Sequence, residues 1–160
     1  RSRDELFQQA AKELGHSFDG EMRIGGNYVP IVENGTEVYI SGQVPRVGDK
    51  VLVTGRAGAD VSLEQARYAA KICAMRALAI LRQSAGGLAR IRKILRITVY
   101  VQSAADFTQH SEVADGASEV LYSIFAEAGV HTRTSVGVYQ LPKNAAVELD
   151  MIVAVDNRAG

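Results

Sequence analysis

The chain is poor in several features that mark particular protein classes: it has one cysteine, no tryptophan and three prolines in 160 residues. One cysteine excludes an internal disulfide and a site built from several thiolates, and it suits a reducing compartment. Neither charge is in excess, because 18 Lys and Arg residues balance 18 Asp and Glu residues. Zero net charge with 47% apolar residues argues against disorder and against a strongly basic surface for nucleic acid, although it allows a local basic patch.

Long hydrophobic runs are also absent. The most apolar segments stay short of the roughly 20 residues of a membrane span, because they are interrupted by Arg76, Arg82, Arg92 and Arg96. The N-terminal segment is polar and lacks the charged, apolar, small-residue order of a signal peptide. We therefore expect a cytoplasmic protein with no membrane partner. The length predicts one domain that buries about 70% of its unfolded surface.

Three segments have the apolar spacing of amphipathic helices. The first begins with a capping box at Ser2 and ends before Gly15. The second begins with a capping box at Ser62, and Cys73 lies on its apolar face, where the pattern favours a small core residue over a reactive thiol. The third helix ends near Gly129, which we expect to form a left-handed C-cap.

Extended segments are predicted at 28–32, 36–41, 51–53, 94–101, 133–139 and 147–155. Asn34-Gly35 between the first two is a strong hairpin signal, which outweighs its interpretation as part of a glycosylation sequon. From Leu95 to Val101 apolar residues alternate with polar ones, as in a half-buried strand. Consecutive strands with two long helices favour a single α+β domain with a mixed sheet and both helices on one face, rather than a doubly wound parallel sheet.

The sequence shows no cradle for a metal or a nucleotide cofactor. Its three histidines, His16, His110 and His131, are scattered and lack the spacing of zinc ligands. No Walker loop is present, and no G-x-G-x-x-G motif opens a helix. Ser135 lacks the first glycine of a nucleophile elbow, so a serine hydrolase is poorly supported. We expect neither a metal nor an organic cofactor.

Two side chains on the last strands are candidates for chemistry. Arg133 opens a strand after a helix, where a guanidinium can bind a carboxylate with its two-pronged donor geometry. The alternative for Arg133 is a surface ion pair of little energetic consequence. Glu148 and Asp150 alternate with apolar residues and so share one face of the last strand. Their alternative is a solvated sheet face.

Several motifs occur in order between residues 26 and 155. They are Gly26-Asn27-Tyr28, the segment YISGQVP from Tyr39 to Pro45, the helix that begins at Ser62, Val99-Tyr100-Val101, the block Arg133 to Val138, Leu141-Pro142-Lys143-Asn144 and Val147-Glu148-Leu149. In this combination the chain resembles the YjgF/Rid family, also called L-PSP endoribonuclease-like proteins. The block from Arg133 onwards is the specific part of the resemblance.

The resemblance implies a chorismate-mutase-like fold, assembled as a homotrimer with clefts between subunits. In the Rid branch, the arginine matching Arg133 holds the substrate carboxylate, and the glutamate matching Glu148 orients or activates a water. The tyrosine matching Tyr28 closes the pocket, and backbone beside the glycine matching Gly42 lines it, so we expect these residues and Ser135 to contact the substrate. The reaction there is hydrolysis of reactive enamines or imines of 2-amino acids to 2-keto acids and ammonia, without a cofactor.

The chain also departs from the pattern of that branch. Gly116 stands where deaminating members often have Asn, Asn27 replaces a proline, and Ser135 occupies a place often held by Cys. Residues 1–25 form an N-terminal helical extension to a YjgF/Rid-like domain at 26–160, and the loop 46–60 exceeds the minimal core. We therefore expect a branch distinct from the archetypal 2-aminoacrylate deaminases.

Three functions compete at this point. The first is cofactor-free hydrolysis of imines, possible with Tyr28, Gly42, Arg133 and Glu148. The second is a non-catalytic or regulatory module that binds a small carboxylate and does not require Glu148. The third is RNA binding or cleavage, suggested by basic residues between 82 and 96 but opposed by the zero net charge.

Overall fold

The computed structural model describes residues 1–157. Within that range the helices are α1 (Arg3–Leu14), α2 (Leu63–Ala85) and α3 (His110–Phe125). The strands are β1 (Ile31–Asn34), β2 (Glu37–Gln43), β3 (Arg46–Val47), β4 (Lys50–Val51), β5 (Ile91–Gln102), β6 (Thr132–Val138) and β7 (Val147–Val155). Two 3-10 turns, Ala126–Gly129 and Pro142–Asn144, precede and follow β6.

Five strands form one mixed sheet in the order β1-β2-β7-β5-β6, and β3 and β4 form a separate ribbon. Neighbours in the large sheet are antiparallel except β5 and β6, which are parallel. The last two strands of the chain therefore flank β5 and do not form a hairpin. Because α2 packs on β2 and β7 while α3 packs on β5 and β6, both long helices cover one face. The predicted α+β architecture is confirmed.

No helix of residues 1–157 covers the opposite face of the sheet. The strand register places on it the side chains of Val32, Tyr39, Tyr100, Val136 and Ile152. Val32, Tyr39 and Val136 are 52%, 41% and 40% exposed. An open face of an antiparallel sheet is usually polar, so a group of exposed apolar side chains indicates a surface suited to association.

The helices α1 and α2 begin as their capping signals predict. The Ser2 hydroxyl accepts from the backbone N–H of Glu5, and the Ser62 hydroxyl accepts from that of Gln65. In both capping boxes the side chain of the later residue accepts a hydrogen bond in return. Within residues 1–157, no helix combines the length and hydrophobicity needed to cross a membrane.

The predicted N-terminal extension contributes to the same core as the sheet. Phe7 of α1 and Phe18 beyond it are buried, with ring centroids 6.5 Å apart in an edge-to-face arrangement. A guanidinium nitrogen of Arg3 donates to the carbonyl oxygens of Leu88 and Ile91. The helix α1 is therefore fastened to the strand β5 by polar contacts and to the core by its aromatic ring.

The predicted hairpin forms, but its turn lies one residue later than the Asn34-Gly35 signal suggests. Asn34 pairs with Glu37, so the two-residue loop consists of Gly35 and Thr36. Gly35 has φ +64°, and it supplies the left-handed conformation at the first loop position. The glycine therefore determines the turn, while Asn34 completes the strand.

The prediction that apolar and polar residues alternate regularly from Leu95 onwards in β5 was wrong at Leu95. The strand begins at Ile91, and its pairing with β7 shifts between Ile94 and Arg96. This irregularity places Ile94 and Ile97 in the core and leaves Leu95 only partly buried. A bulge changes which side chains face inwards, and local periodicity does not reveal it.

The prediction of a left-handed C-cap at Gly129 was also wrong. The helix α3 ends at Phe125, and Ala126 takes the positive φ of +52°. Gly129 lies at the end of the following 3-10 turn, where the backbone of α3 leaves no room for a side chain. A Cβ at this residue would lie 2.5 Å from the carbonyl oxygen of Leu121.

Cys73 is fully buried between α2 and β7, which confirms its interpretation as a core residue. Its thiol donates to the carbonyl oxygen of Val147, with 3.7 Å between sulfur and oxygen. Burial raises the pKa of the thiol well above its ordinary value. The thiolate, which is the reactive form, is therefore strongly disfavoured in the folded chain.

Candidate active site

A cavity of about 190 Å³ opens where β2 ends beside the start of β7. Its lining includes three of the predicted site residues, Tyr28, Gly42 and Glu148. The volume is below the roughly 300 Å³ at which pockets for drug-sized ligands begin, so the cavity fits a small metabolite. Its basic lining residues are Arg23, Arg46, Arg76 and Lys143.

Glu148 supplies a half-buried carboxylate to this cavity. It lies opposite Tyr100 in the sheet and points to the face that has no helix. Burial raises the pKa of its carboxyl group, and the nearby negative charge of Asp150 raises the pKa further. Among residues 1–157, no Lys or Arg nitrogen lies within 4.0 Å of the Glu148 carboxylate to oppose this shift. A carboxylate of this kind is suited to accept a proton from water.

Gly42 allows the Glu148 carboxylate to approach the backbone of β2. The pairing of β2 with β7 is irregular between Ile40 and Gln43, and Gly42 lies in this interval. A Cβ at residue 42 would lie 2.5 Å from Oε2 of Glu148 and 2.8 Å from its carboxyl carbon. Close approach of a side chain is therefore the physical reason for a glycine at this position.

We expect Gly42→Ala to displace the Glu148 carboxylate without unfolding the protein, because the atoms in the way belong to the end of a flexible side chain. The free energy of unfolding should change by less than about 1 kcal/mol. Any reaction that depends on Glu148 should slow by about tenfold or more, since misplacing a catalytic group by about 1 Å can cost a factor of 100. Thermal unfolding and initial rates measure the two effects.

Gly20→Ala is the matched control, because a Cβ at Gly20 would meet no atom within 4 Å. This variant should keep both its stability and its rate. Equal losses of rate in the two variants would contradict the role assigned to Gly42.

Tyr28 lies at the mouth of the cavity and is 50% exposed. It belongs to the segment 20–30, which contains neither helix nor strand. Its ring lies close to the backbone of Gly26, where a Cβ would approach a ring carbon to 2.7 Å. This position is compatible with a residue that closes the pocket, which stays a prediction.

Arg133 lies on β6, away from the cavity lining. Its guanidinium forms an ion pair with Asp115 at 2.8 Å and donates to the Ser118 hydroxyl at 2.9 Å. It also donates to the hydroxyl and the carbonyl oxygen of Ser111, at 2.8 and 3.2 Å. All three partners belong to α3, so within one chain Arg133 forms the ion pair that was the alternative interpretation.

The strand register explains why Arg133 and Glu148 are apart. Arg133 lies opposite Ile97, whose side chain faces the helices, whereas Glu148 lies opposite Tyr100 on the other face. Ser135 is two residues from Arg133 on the same strand and points to the same side as Arg133. A single chain therefore does not bring these two β6 side chains to the cavity.

Arg76 is a cavity residue that the sequence analysis missed. It is 4% exposed; its Nε donates to Oε1 of Gln43 at 3.2 Å, and its terminal nitrogens donate to the carbonyl oxygens of Arg46 and Arg23 at 2.8 and 3.0 Å. Burial is the main cause that lowers the pKa of the Arg76 guanidinium; Cys73 partly opposes this effect, and the charge of Arg46 adds to it. The spacing held a signal, because Arg76 lies three residues after Cys73 on the apolar face of α2.

Lys143 reaches the cavity from a strained connection that precedes β7. Lys143 and Asn144 have φ of +60° and +58°, an arrangement that costs on the order of 1 kcal/mol or more for each residue. Gln102, which is fully buried, holds this connection in place. Its Nε2 donates to Oδ1 of Asn144 at 2.7 Å and to the carbonyl oxygen of Gly55 at 2.9 Å, and its Oε1 accepts from the N–H of Leu141 at 2.8 Å.

Gly116 lies in a contact between helices. A Cβ at this residue would lie 2.5 Å from the carbonyl oxygen of Arg67 on α2, so a larger residue would force α2 and α3 apart. Gly116 stands where deaminating members of the Rid branch often have Asn, and in this chain helix packing leaves no room for that side chain. This glycine allows close packing and does not line the cavity.

A serine–histidine pair lies outside the cavity, in a more open groove beside β6. The Ser103 hydroxyl is 3.2 Å from Nε2 of His110, and Gly137 leaves room for the pair because a Cβ there would lie 2.6 Å from Nε2. Activation of a serine needs a histidine that a third group orients. Within residues 1–157, no carboxylate hydrogen-bonds to His110, and we interpret the pair as a contact that joins α3 to the sheet.

Comparison with known proteins agrees with this architecture. A family model described as "YjgF/chorismate mutase-like, putative endoribonuclease" matches residues 15–154. A crystal structure of a protein of unknown function from Agrobacterium tumefaciens is 35% identical with a TM-score of 0.86, over 96% of each chain. "Protein TCP17" from Trypanosoma cruzi is 38% identical over 132 residues, 82% of each chain.

A more distant relative has a named activity. It is a 2-iminobutanoate/2-iminopropanoate deaminase from Dermatophagoides farinae, 28% identical over 132 residues, which cover 82% of this chain and 88% of that protein. The family model matches most of this chain, and the chain has the predicted sheet and helices. The chain therefore belongs to the YjgF/chorismate mutase-like family.

Proposed function

We propose that this protein hydrolyses imine or enamine intermediates of 2-amino acids to 2-keto acids and ammonia, in sites formed between subunits of a homotrimer in the cytoplasm. The observation that supports this most directly is Glu148, a half-buried carboxylate with a raised pKa at the wall of a small cavity. Gly42 and Tyr28 lie beside it, as the resemblance predicts. The similarity to a deaminase supports the same class of reaction.

The chemistry asks little of the protein, because an imine carbon is already electrophilic. A water oxygen attacks the C=N carbon while Glu148 accepts a proton from the water. The former imine nitrogen takes up that proton, which gives the neutral carbinolamine. As the C–N bond breaks, the hydroxyl group loses its proton and the C=O bond forms; Glu148 passes this second proton to the departing nitrogen, which leaves as ammonia. The sum is imine plus water to keto acid plus ammonia, with no change of oxidation state.

The resemblance assigns the substrate carboxylate to Arg133, which one chain does not bring to Glu148. Arg133 lies on β6, which is an edge strand of the sheet and accessible to a neighbouring subunit. Its fork geometry suits a carboxylate, and Ser135 lies on the same side of the strand. Association through the exposed apolar face around Tyr39 and Val136 would bury that surface and would allow one subunit's Arg133 to complete another subunit's cavity.

This proposal predicts that Arg133→Ala lowers kcat/KM for an enzymatically generated 2-imino acid by about 10- to 150-fold, because a charged hydrogen bond contributes roughly 1.5–3 kcal/mol. Release of keto acid and ammonia measures the rate, and sedimentation velocity measures the oligomeric state. Arg92→Ala removes an exposed arginine of β5 and should leave the rate unchanged. No acceleration by the wild-type protein would refute the hydrolase, and a monomer would refute the shared site.

Binding of a carboxylate without turnover is the second candidate, favoured by the excess of basic residues around the cavity. Calorimetry with 2-keto acids separates the two candidates. Binding that is lost in Arg133→Ala and kept in Glu148→Gln, with no catalysis by wild type, would favour the binding protein.

The structure offers less to an RNA ligand. Arg82 forms ion pairs with Asp4 and Asp19, and Arg90 forms one with Glu33, so acids offset part of the basic cluster at 82–96. Binding of RNA through phosphates requires an excess of positive charge and weakens strongly as salt is added.

A further inference from the structure

The cavity has more positive charge than hydrolysis of a simple imino acid requires. Arg46, Arg76 and Lys143 line it without a carboxylate within 4.0 Å of their nitrogens among residues 1–157, whereas Arg23 is paired with Asp49. Glu148, the acidic lining residue, has no Lys or Arg nitrogen of residues 1–157 within 4.0 Å of its carboxylate. The basic side chains and Glu148 therefore do not neutralise one another.

Arg76 is the most unusual of these cations because it is 96% buried. In the described part of the chain, residues 1–157, its three hydrogen-bond acceptors are neutral oxygens, which leaves two N–H donors and the charge without a counterion. If Arg76 served only to hydrogen-bond α2 to the adjoining loops, an uncharged side chain would be sufficient. Burying a cation without a counterion is strongly unfavourable, so such a group is usually paired with an anion.

Arg46 is a second guanidinium group beside the same cavity. Its Nε is buried and has no hydrogen-bond partner among residues 1–157, although a buried N–H nearly always has one. Arg46 and Arg76 are neighbours in space, since the backbone carbonyl of Arg46 accepts from Arg76 and its charge lowers the pKa of Arg76. Two repelling guanidinium groups beside one cavity, one with an unsatisfied donor, form an arrangement that an anion would stabilise.

We propose that Arg46 and Arg76 form a second anion subsite, and that the substrate is a 2-imino acid with a further carboxylate on its side chain. The substrate class rests on the proposed function, with Arg133 of a neighbouring subunit holding the first carboxylate. Hydrolysis of such a 2-imino dicarboxylate consumes one water and yields a 2-oxo dicarboxylate and ammonia. Arg46 and Arg76 bind the distal carboxylate and leave the imine carbon to Glu148.

Two matched pairs of keto acids, with 2-oxosuccinate freshly dissolved because it loses CO2 slowly in water, test the subsite by calorimetry on the full chain. They are 2-oxosuccinate against 2-oxobutanoate, and 2-oxoglutarate against 2-oxopentanoate, which differ by a carboxylate in place of a methyl group. We expect the wild type to prefer the dianion of at least one pair by about tenfold or more. Arg46→Gln keeps the backbone carbonyl that binds Arg76 and should lower that preference by about tenfold.

Arg92→Gln is the control with the same change of charge at an exposed position, and it should keep the preference. Arg76→Lys, with its fold checked by thermal unfolding, should also weaken binding of the dianion relative to the monoanion. Equal affinities of wild type for both members of each pair, or equal losses for both in Arg46→Gln, would overturn the subsite.

The test separates this inference from the proposed function. Hydrolysis of 2-iminobutanoate with no preference for dianions would overturn the subsite and leave the hydrolase intact. A preference for dianions that depends on Arg46, with no hydrolysis of any imine, would support the subsite and refute the hydrolase.

Discussion

Glu148→Gln is expected to lower the rate of imine hydrolysis by about 10²- to 10⁴-fold, the usual contribution of a general acid–base group. The amide keeps the shape of the side chain but does not accept a proton from water. Binding of 2-keto acids should change little, because the carboxylates of the ligand are assigned to arginines. Ammonia release under saturating substrate gives kcat, and calorimetry gives the affinity.

The same substitution should stabilise the folded protein near neutral pH. Burial and Asp150 raise the pKa of Glu148, so the folded chain binds this proton more tightly than the unfolded chain does. As pH rises from the ordinary pKa towards the raised pKa, the free energy of unfolding therefore falls, and it remains lower at higher pH. Glu148→Gln removes this decrease, and its melting temperature should exceed that of wild type at pH 7 but not at pH 4.

Asp150→Asn is the matched control, since Asp150 is on the same face of β7 and accepts from the Tyr100 hydroxyl at 3.0 Å. It should keep most of the activity. Because the charge of Asp150 contributes to the raised pKa of Glu148, the rising limb of the pH–rate profile should move to lower pH in this variant. Retention of activity within threefold in Glu148→Gln would exclude Glu148 as the base.

Gln102→Leu is expected to destabilise the protein by about 3 kcal/mol or more. Leucine fills a similar volume but leaves three polar groups without their partner: the N–H of Leu141, the carbonyl of Gly55 and the side-chain amide oxygen of Asn144. At about 2–4 °C per kcal/mol for a chain of this length, the melting temperature should fall by about 6–12 °C. Differential scanning calorimetry measures both quantities.

Gln140→Leu provides the control on the same connection. Gln140 is exposed, and its Oε1 accepts from Arg56 at 3.0 Å, so this variant should lose less than about 1 kcal/mol. If the melting temperatures of the two variants differed by less than 2 °C, Gln102 would not have the role of holding the connection before β7 in place.

Local sequence signals located the ends of elements best where one side chain and one backbone group decide the outcome. The capping boxes at Ser2 and Ser62 are of this kind, and both form. Leu95 and Gly129 were misjudged because contacts beyond their immediate neighbours in the sequence decide their surroundings. The inward face of β5 depends on its pairing with β7, and Gly129 is required by the carbonyl of Leu121.

The residues of the candidate site also fall into two groups, those that local motifs predict and those that only the folded structure reveals. Tyr28, Gly42 and Glu148 could be named from their motifs, and the structure brings them to one cavity. Local spacing places Arg76 on the apolar face of α2, but it does not reveal what Arg76 or Gln102 binds, because their partners lie 30 to 53 and 39 to 47 residues away. Register also separated Arg133 from Glu148, which linear spacing had not revealed.

Because Cys73 is buried, the rate at which it is alkylated can report how often α2 and β7 separate. An alkylating reagent does not reach the thiol while α2 and β7 remain packed, and the protonated thiol reacts slowly in any case. Alkylation of Cys73 therefore requires α2 and β7 to separate. With excess reagent, the rate of alkylation equals the rate of this separation. Because the chain has one cysteine, a single mass increment would count the molecules that have opened, and a ligand in the adjoining cavity should lengthen the interval between openings.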